Sequence, residues 1–239
     1  LSRRAIDVAA DDLAVVAEAD LIVLAAPVRQ NITLLRHVAA HASPSAVITD
    51  VGGTKRTIVN AATALSETVT FVGGHPLGGG AHGGFEFATA SLFARRPWIF
   101  TPHDTAGSGA LPRLSAFVTG LGAHAATMAA LEHDRLMALI SHLPQLATTA
   151  LMGVVGQGAT AAGLRMAGQG LVDTTRLASS PADVWRDVCV TNADEIRKAL
   201  DLLIDQLSEM RSALDRAEIV DAMFSDAAEW RAELMKGRD

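Results

Sequence analysis

Cysteine is almost missing from this 239-residue chain. Cys189 stands alone, so no internal disulfide and no cysteine-based zinc cluster can be built. The chain therefore reads as a reduced, cytoplasmic protein. Long apolar runs are missing too. The longest, Leu21 to Val28, is eight residues, against about eighteen for a membrane-spanning helix. No membrane partner is expected. Basic tracts are absent, aromatics are 4% of residues and the formal net charge is −6. A nucleic-acid surface needs clustered Lys and Arg to neutralise phosphates, so that class is excluded. Ser2-Arg3-Arg4 is followed by Asp7, Asp11 and Asp12 rather than an apolar stretch, which reads against a signal peptide. What is present is apolar substance: 49% hydrophobic against 19% charged residues. That excludes a disordered chain and leaves one large domain or two small ones.

The first hundred residues alternate between two periodicities. Leu21–Ala26, Ala46–Val51, Val69–Val72 and Pro97–Pro102 are short apolar or β-branched runs, each suited to a buried strand. Asp11–Ala19, Asn31–Ala42 and Lys55–Leu65 place apolar residues at helical spacing. Strand–helix–strand repeats of this kind predict parallel βαβ units. Leu111–Leu121 is a further helix and His124–Met128 a short strand. From Ala129 onward nearly everything is helical. Pro144 should kink or break the long Ala129–Met152 segment, because proline lacks the backbone N–H and clashes with the preceding turn. Trp185–Leu214 and Ala217–Met235 complete the chain, and the boundary between the two halves falls near Thr127–Ala130.

Five segments could carry chemistry. Gly78-Gly79-Gly80-Ala81-His82-Gly83 matches the dinucleotide pattern G-x-G-x-x-G in letters, but it does not directly follow a strand, and no acidic residue ends a second strand at the right distance. Gly73-Gly74-His75-Pro76 puts a histidine at the carboxyl end of a strand, where open α/β sheets bind ligands. Histidine is the usual acid or base near neutral pH; the plainer alternative is a turn histidine bonded to backbone. Asp50-Val51-Gly52-Gly53-Thr54-Lys55 lies at another strand end, either a ligand loop or an ordinary turn with Thr54 as helix cap. Ser141-His142-Leu143-Pro144-Gln145 sets a histidine beside a kink. Asp173 to Pro181 carries Arg176 among hydroxyls, a setting suited to a carboxylate because the guanidinium fork binds it bidentately.

Taken in order, these segments resemble the prephenate/arogenate dehydrogenase family of tyrosine biosynthesis. The similarity runs from about Ala19 to Asn192 through Ala19-Asp20-Leu21, Ala26-Pro27-Val28, Asp50–Lys55, Gly73–Pro76, Leu92-Phe93, Pro97-Trp98 and Pro102. It continues through His133-Asp134, Ser141–Pro144, Thr175–Ala178, Trp185 and Asn192. The resemblance implies an α/β Rossmann-type dinucleotide-binding domain, here residues 1–128, followed by an all-α dimerisation domain, residues 129–239. It implies NAD- or NADP-dependent oxidative decarboxylation of prephenate or arogenate by a homodimer without a metal. His75 matches the catalytic histidine and Arg176 the arginine that holds a substrate carboxylate. His142, Gln145 and Thr54 fall on the substrate side; Ala26, Pro27, Val28, Gly52, Gly53 and Gly79 fall on the cofactor side.

Three departures stand out. Gly53 replaces a common serine, and Gly80-Ala81 replaces a hydroxyl–glutamate pair. The first βαβ unit, with its phosphate-binding glycines, has no counterpart and would be expected before Leu1. Two alternatives follow: a related dehydrogenase acting on an amino-substituted prephenate in specialised metabolism, and a non-catalytic dimerising remnant.

Overall fold

The computed structural model describes residues 5–65, 69–79 and 84–236. Five strands form one mixed sheet in the order β1-β2-β3-β4-β5: Leu21–Leu24, Val47–Asp50, Thr70–Pro76, Pro97–Thr101 and His124–Thr127. Helices α1 (Val28–Ala39) and α2 (Arg56–Ala62) follow β1 and β2, and α3 (Thr105–Gly120) links β4 to β5. Side chains alternate across each strand, so neighbours in sequence serve opposite faces. Ile48 and Phe71 join Ile22 and Leu24 under Leu35 and Val38 of α1 and Ile58 and Val59 of α2. Val47 and Val72 turn the other way, joining Trp98 and Phe100 under Ala110, Leu114 and Val118 of α3. Burying each large aliphatic side chain contributes roughly 1.5–3 kcal/mol, so both helical layers are anchored by several such residues.

The expectation of uniformly parallel pairing holds for β1 with β2, β2 with β3 and β4 with β5, and fails once: β4 runs antiparallel to β3. A parallel neighbour needs a helical crossover. Among the described residues the connection from β3 to β4 holds only the 3-10 turn Phe85–Phe87, and the chain simply doubles back.

Pro144 acts as anticipated, in a specific way. The helix α4 (Ala130–Met137) widens into a π-helical segment, Ala138–His142, and resumes as α5 (Leu143–Gly158) with the proline in its first turn. The proline's missing N–H falls where helix starts leave such donors unpaired. The helices run on from 130 to 158, with an 18-residue window of mean hydropathy 1.4. By length and composition they could cross a membrane, which corrects the expectation of no such segment. Counting only uninterrupted apolar runs overlooked it.

Short helices α6 (Ala161–Leu164) and α7 (Gln169–Thr174) lead to a 3-10 turn at Arg176–Ser179. The predicted Trp185–Leu214 helix is two helices, α8 (Ala182–Thr191) and α9 (Ala193–Ala213), broken at Asn192. The chain divides into two compact units, residues 1–196 and 197–239. The second holds the rest of α9 and α10 (Ala217–Met235), and leaves Leu202, Ile204, Leu207, Phe224 and Trp230 exposed.

Candidate active site

The carboxyl ends of β2 and β3 are locked together by a buried charge. Lys55 and Asp50 are both fully buried. The Lys55 ammonium donates to Asp50 Oδ1 at 2.6 Å and to the Gly74 carbonyl at 2.6 Å. Asp50 in turn accepts the backbone N–H of Gly52 at 2.8 Å and of Gly74 at 3.0 Å. Burial pushes the lysine below its ordinary range, and Asp50 opposes that shift. The approach requires glycine at Gly74, where a Cβ would stand 2.4 Å from the Asp50 carbonyl oxygen. A fixed backbone therefore delivers the next residue, His75.

His75 Nδ1 lies 2.8 Å from His133 Nε2, and His133 Nδ1 lies 2.8 Å from Asp134 Oδ1. Asp134 accepts two backbone N–H groups at the start of α2, from Lys55 at 2.7 Å and Arg56 at 2.9 Å. His133 and Asp134 are wholly buried. Burial, then the charges of His133, Lys55 and His142, hold His75 well below the usual histidine range. At neutral pH its ring is uncharged, the state a base requires. Its other nitrogen, Nε2, faces the turn after β2: a Cβ on Gly53 would sit 3.9 Å from it and 3.7 Å from Val188, with nothing nearer. Gly53 thus leaves room beside the histidine.

The helical residues close the network. Asn192, at the α8–α9 break, donates to the Asp134 carbonyl at 2.8 Å and lies 3.3 Å from His142 Nδ1. The His142 ring meets Trp185 edge-on, centroids 6.0 Å apart, and burial lowers its pKa to about 4. Gln145, one turn further, is buried. Its amide donates to the Leu177 carbonyl at 2.7 Å and accepts from the Ser180 hydroxyl at 3.0 Å. Gln145 thereby ties down the turn that presents Arg176, which is exposed.

Other expected positions fare differently. Thr191 gives its hydroxyl proton to the Asp187 carbonyl, so the buried Thr54 hydroxyl, 2.7 Å away, donates to Thr191; this hydroxyl serves the interior. Gly52 is glycine for packing, since a Cβ there would meet Asp50 at 2.8 Å and Val28 at 2.9 Å. That contact brings the turn after β1 beside the turn after β2. Ala26 gives its N–H to the buried Asn31 side chain, which also bonds the Leu24 carbonyl; Pro27 is the cap residue just before α1. Among the described residues, a Cβ on Gly79 would meet no atom within 4 Å. Gly80 to Gly83, most of the dinucleotide-like pattern, lie outside the described residues. A groove of 920 Å³ is lined by Pro27 and Arg29 at the start of α1, by Thr57, and by Asp183, Asp187 and Thr191 of α8; His75 is not among its lining residues.

The roles of Lys55, His133, Asp134 and Asn192 do not emerge from spacing. The available signal is a pair of polar residues, His133-Asp134, on the same helical face as Met137 and Ala138. Among the described residues no group of three or more His, Cys, Asp or Glu could hold a metal ion.

Residues 1–127 match the nucleotide-binding domain of prephenate dehydrogenase and residues 129–225 its dimerization domain. The chain is 32% identical over 222 residues to a prephenate dehydrogenase of Bacillus subtilis, a match covering 90% of this chain and 60% of that protein. This chain thus spans less than two thirds of that relative's length. Among solved structures, a prephenate dehydrogenase from Aquifex aeolicus in complex with hydroxyphenyl propionate and NAD+ superposes with a TM-score of 0.83 at 25% identity, covering 95% of this chain and 80% of that one. An arogenate dehydrogenase from Synechocystis gives 0.78 at 26% identity, covering 94% and 82%.

Proposed function

The chain belongs to the prephenate dehydrogenase family, and from that premise we propose that it carries out the NAD- or NADP-dependent oxidative decarboxylation of prephenate or arogenate. The observation that carries the reading is His75: an uncharged ring at a strand's carboxyl end, one nitrogen bonded inward to His133 and the other facing the space left by Gly53. A ring hydroxyl in that space would lie within reach of Nε2.

The residues present suit the nicotinamide end of a dinucleotide. The Ala26–Val28 and Gly52–Gly53 turns adjoin at the Val28–Gly52 contact, and Gly53 opens beside His75. The first turn of α1 suits a pyrophosphate poorly, because the Arg29 N–H is already bonded to the Asp187 carboxylate and a phosphate there would meet a like charge. Ala26, Pro27, Val28, Gly53 and Gly79 would line the nicotinamide side; when bound, the cofactor supplies the hydride acceptor. His75 takes the hydroxyl proton on Nε2 as hydride leaves the same ring carbon and a carbonyl forms. The bond to the departing carboxylate then breaks, carbon dioxide leaves, and its electron pair makes the ring aromatic. The resulting oxyanion recovers the proton from His75. Arg176 holds the carboxylate that stays, and the His142–Trp185 pair walls the pocket.

The exposed apolar residues of α9 and α10, and those of α5 such as Val154, fit a cytoplasmic homodimer, with a functional boundary near residue 128. Gly53 favours a second reading, a ring bearing an amino group where prephenate has its hydroxyl, since an N–H donor also suits a bare Nε2.

The test is formation of reduced cofactor by the intact protein from prephenate and from arogenate, each with NAD and with NADP. One productive combination is expected, and His75→Asn should cut kcat about a hundredfold, the usual scale for losing a general base. Silence in all four refutes the reading and leaves a dimerising protein without this chemistry.

A further inference from the structure

We propose that His133, fixed by Asp134, is a positioning residue that dictates which nitrogen of His75 is bare, and that it shares the positive charge when His75 is protonated. The inference rests on the proposed role of His75 as base. Its ground is the direction of each hydrogen bond.

Asp134 Oδ1 already accepts the Lys55 N–H, and Oδ2 accepts that of Arg56. The Asp134 side chain is therefore an acceptor at both oxygens, and the proton between it and His133 belongs to His133 Nδ1. In the proposed state His133 is a neutral imidazole with its single N–H on Nδ1, so its Nε2 is an acceptor. The atom 2.8 Å from it, His75 Nδ1, must be the donor. His75 then carries its proton on Nδ1 and presents a lone pair on Nε2, towards Gly53. Reversing the His133–Asp134 bond would leave two acceptors facing each other inside a dry site, which costs about 1–3 kcal/mol.

The same chain accommodates the charge that proton transfer creates. When Nε2 of His75 gains the substrate proton, the proton on its Nδ1 shifts toward His133 Nε2, while the His133 Nδ1–H stays bonded to Asp134. The charge is distributed over two rings that end on a carboxylate. No other carboxylate is bonded to either ring among the described residues. Lys55 and His142, the other titratable groups acting on His75, both disfavour a positive charge on it. Without His133 the base would be no weaker in reach, only in the wrong tautomer and without a counter-charge.

The decisive experiment is nitrogen-15 NMR of the intact protein labelled at histidine, with His75 and His133 assigned by His75→Asn and His133→Gln. The expected spectrum at pH 7.5 shows a proton on Nδ1 of both residues and bare Nε2 on both. A proton on Nε2 of His75 overturns the proposal. This readout needs no turnover, so it stands apart from failure of the proposed reaction. In kinetics, His133→Leu should lower kcat ten- to a hundredfold with substrate and cofactor KM unchanged. His133→Gln, whose carbonyl can still accept the Nδ1–H, should recover part of the loss. Equal losses in the two variants, or an effect confined to KM, would also overturn it. Where a variant fails to fold, the Nδ1–Nε2 coupling across the hydrogen bond between the two rings in the wild-type spectrum assigns the pair.

Discussion

Replacing Lys55 with methionine tests whether the buried charge pair holds the site together. Methionine retains most of the stem and removes the ammonium. In the native protein that ammonium makes contacts of 2.6 and 2.5 Å with Asp50 and 2.6 Å with the Gly74 carbonyl. After substitution Asp50 keeps only the N–H groups of Gly52 and Gly74, and a charge with no counter-ion remains in a site closed to water. Breaking one side of a buried pair costs about 3–5 kcal/mol. With a urea m-value near 2.5 kcal/mol/M, the unfolding midpoint should fall by about 1.5 M, measured at pH 7 and fixed protein concentration. The double variant Asp50→Asn/Lys55→Met, which removes both charges, should recover most of that loss, because the penalty comes from the unpaired ion rather than from a missing attraction. A loss under about 1 kcal/mol in the single variant, or a double variant no more stable than the single one, would refute the reasoning.

Gln145→Leu leaves the Leu177 carbonyl and Ser180 hydroxyl without their partner. It should raise the substrate KM severalfold through the displaced turn, while Arg176→Ala raises it further. The double variant should match Arg176→Ala alone, whereas additive effects in steady-state kinetics would show that Gln145 acts independently. His142 titrates near 4 when folded and near 6.5 when unfolded. Between those values the unfolded chain binds more protons, so stability is full above pH 6.5 and falls as pH drops to about 4. The loss from this group approaches 3 kcal/mol at pH 4; between pH 7 and pH 4.5, chemical denaturation should show a drop about 2 kcal/mol smaller in His142→Phe than in the wild type, His75 contributing in the same sense to what remains. The acid limb of kcat/KM should lie below pH 6.5, since burial and neighbouring positive charges keep His75 neutral there; a limb at or above 7 would contradict that environment.

The strands, the helices between them and the position of His75 were legible because they depend on local periodicity and on where a strand stops. The Gly53 departure was legible as well, and the structure turns it into an opening beside Nε2. The antiparallel turn of β4 was not, because its cause is that no crossover helix links β3 to β4 among the described residues, rather than any property of Pro97–Thr101. The break at Asn192 escaped notice because apolar residues keep helical spacing across it. Only the buried carbonyl of Asp134, 58 positions away, explains why the chain pauses there. Arg176 was recognised by type, but the device that holds it, Gln145 gripping the next turn, pairs residues 32 positions apart. Polar networks assembled from distant segments leave no periodic trace.

The reversed direction of β4 also has a use at the bench. Its register sets Thr101 against Gly73 and Trp98 against Pro76, so the chain leaves β4 at the end of β3 away from His75. There His103 and Asp104 border a 470 Å³ hollow with Leu65 and Val69. Ala106, exposed in the first turn of α3, is therefore a point for attaching a fluorophore without crowding the reacting ring. With Cys189 the chain's single native thiol, an Ala106→Cys/Cys189→Ser chain would carry one dye at one known address.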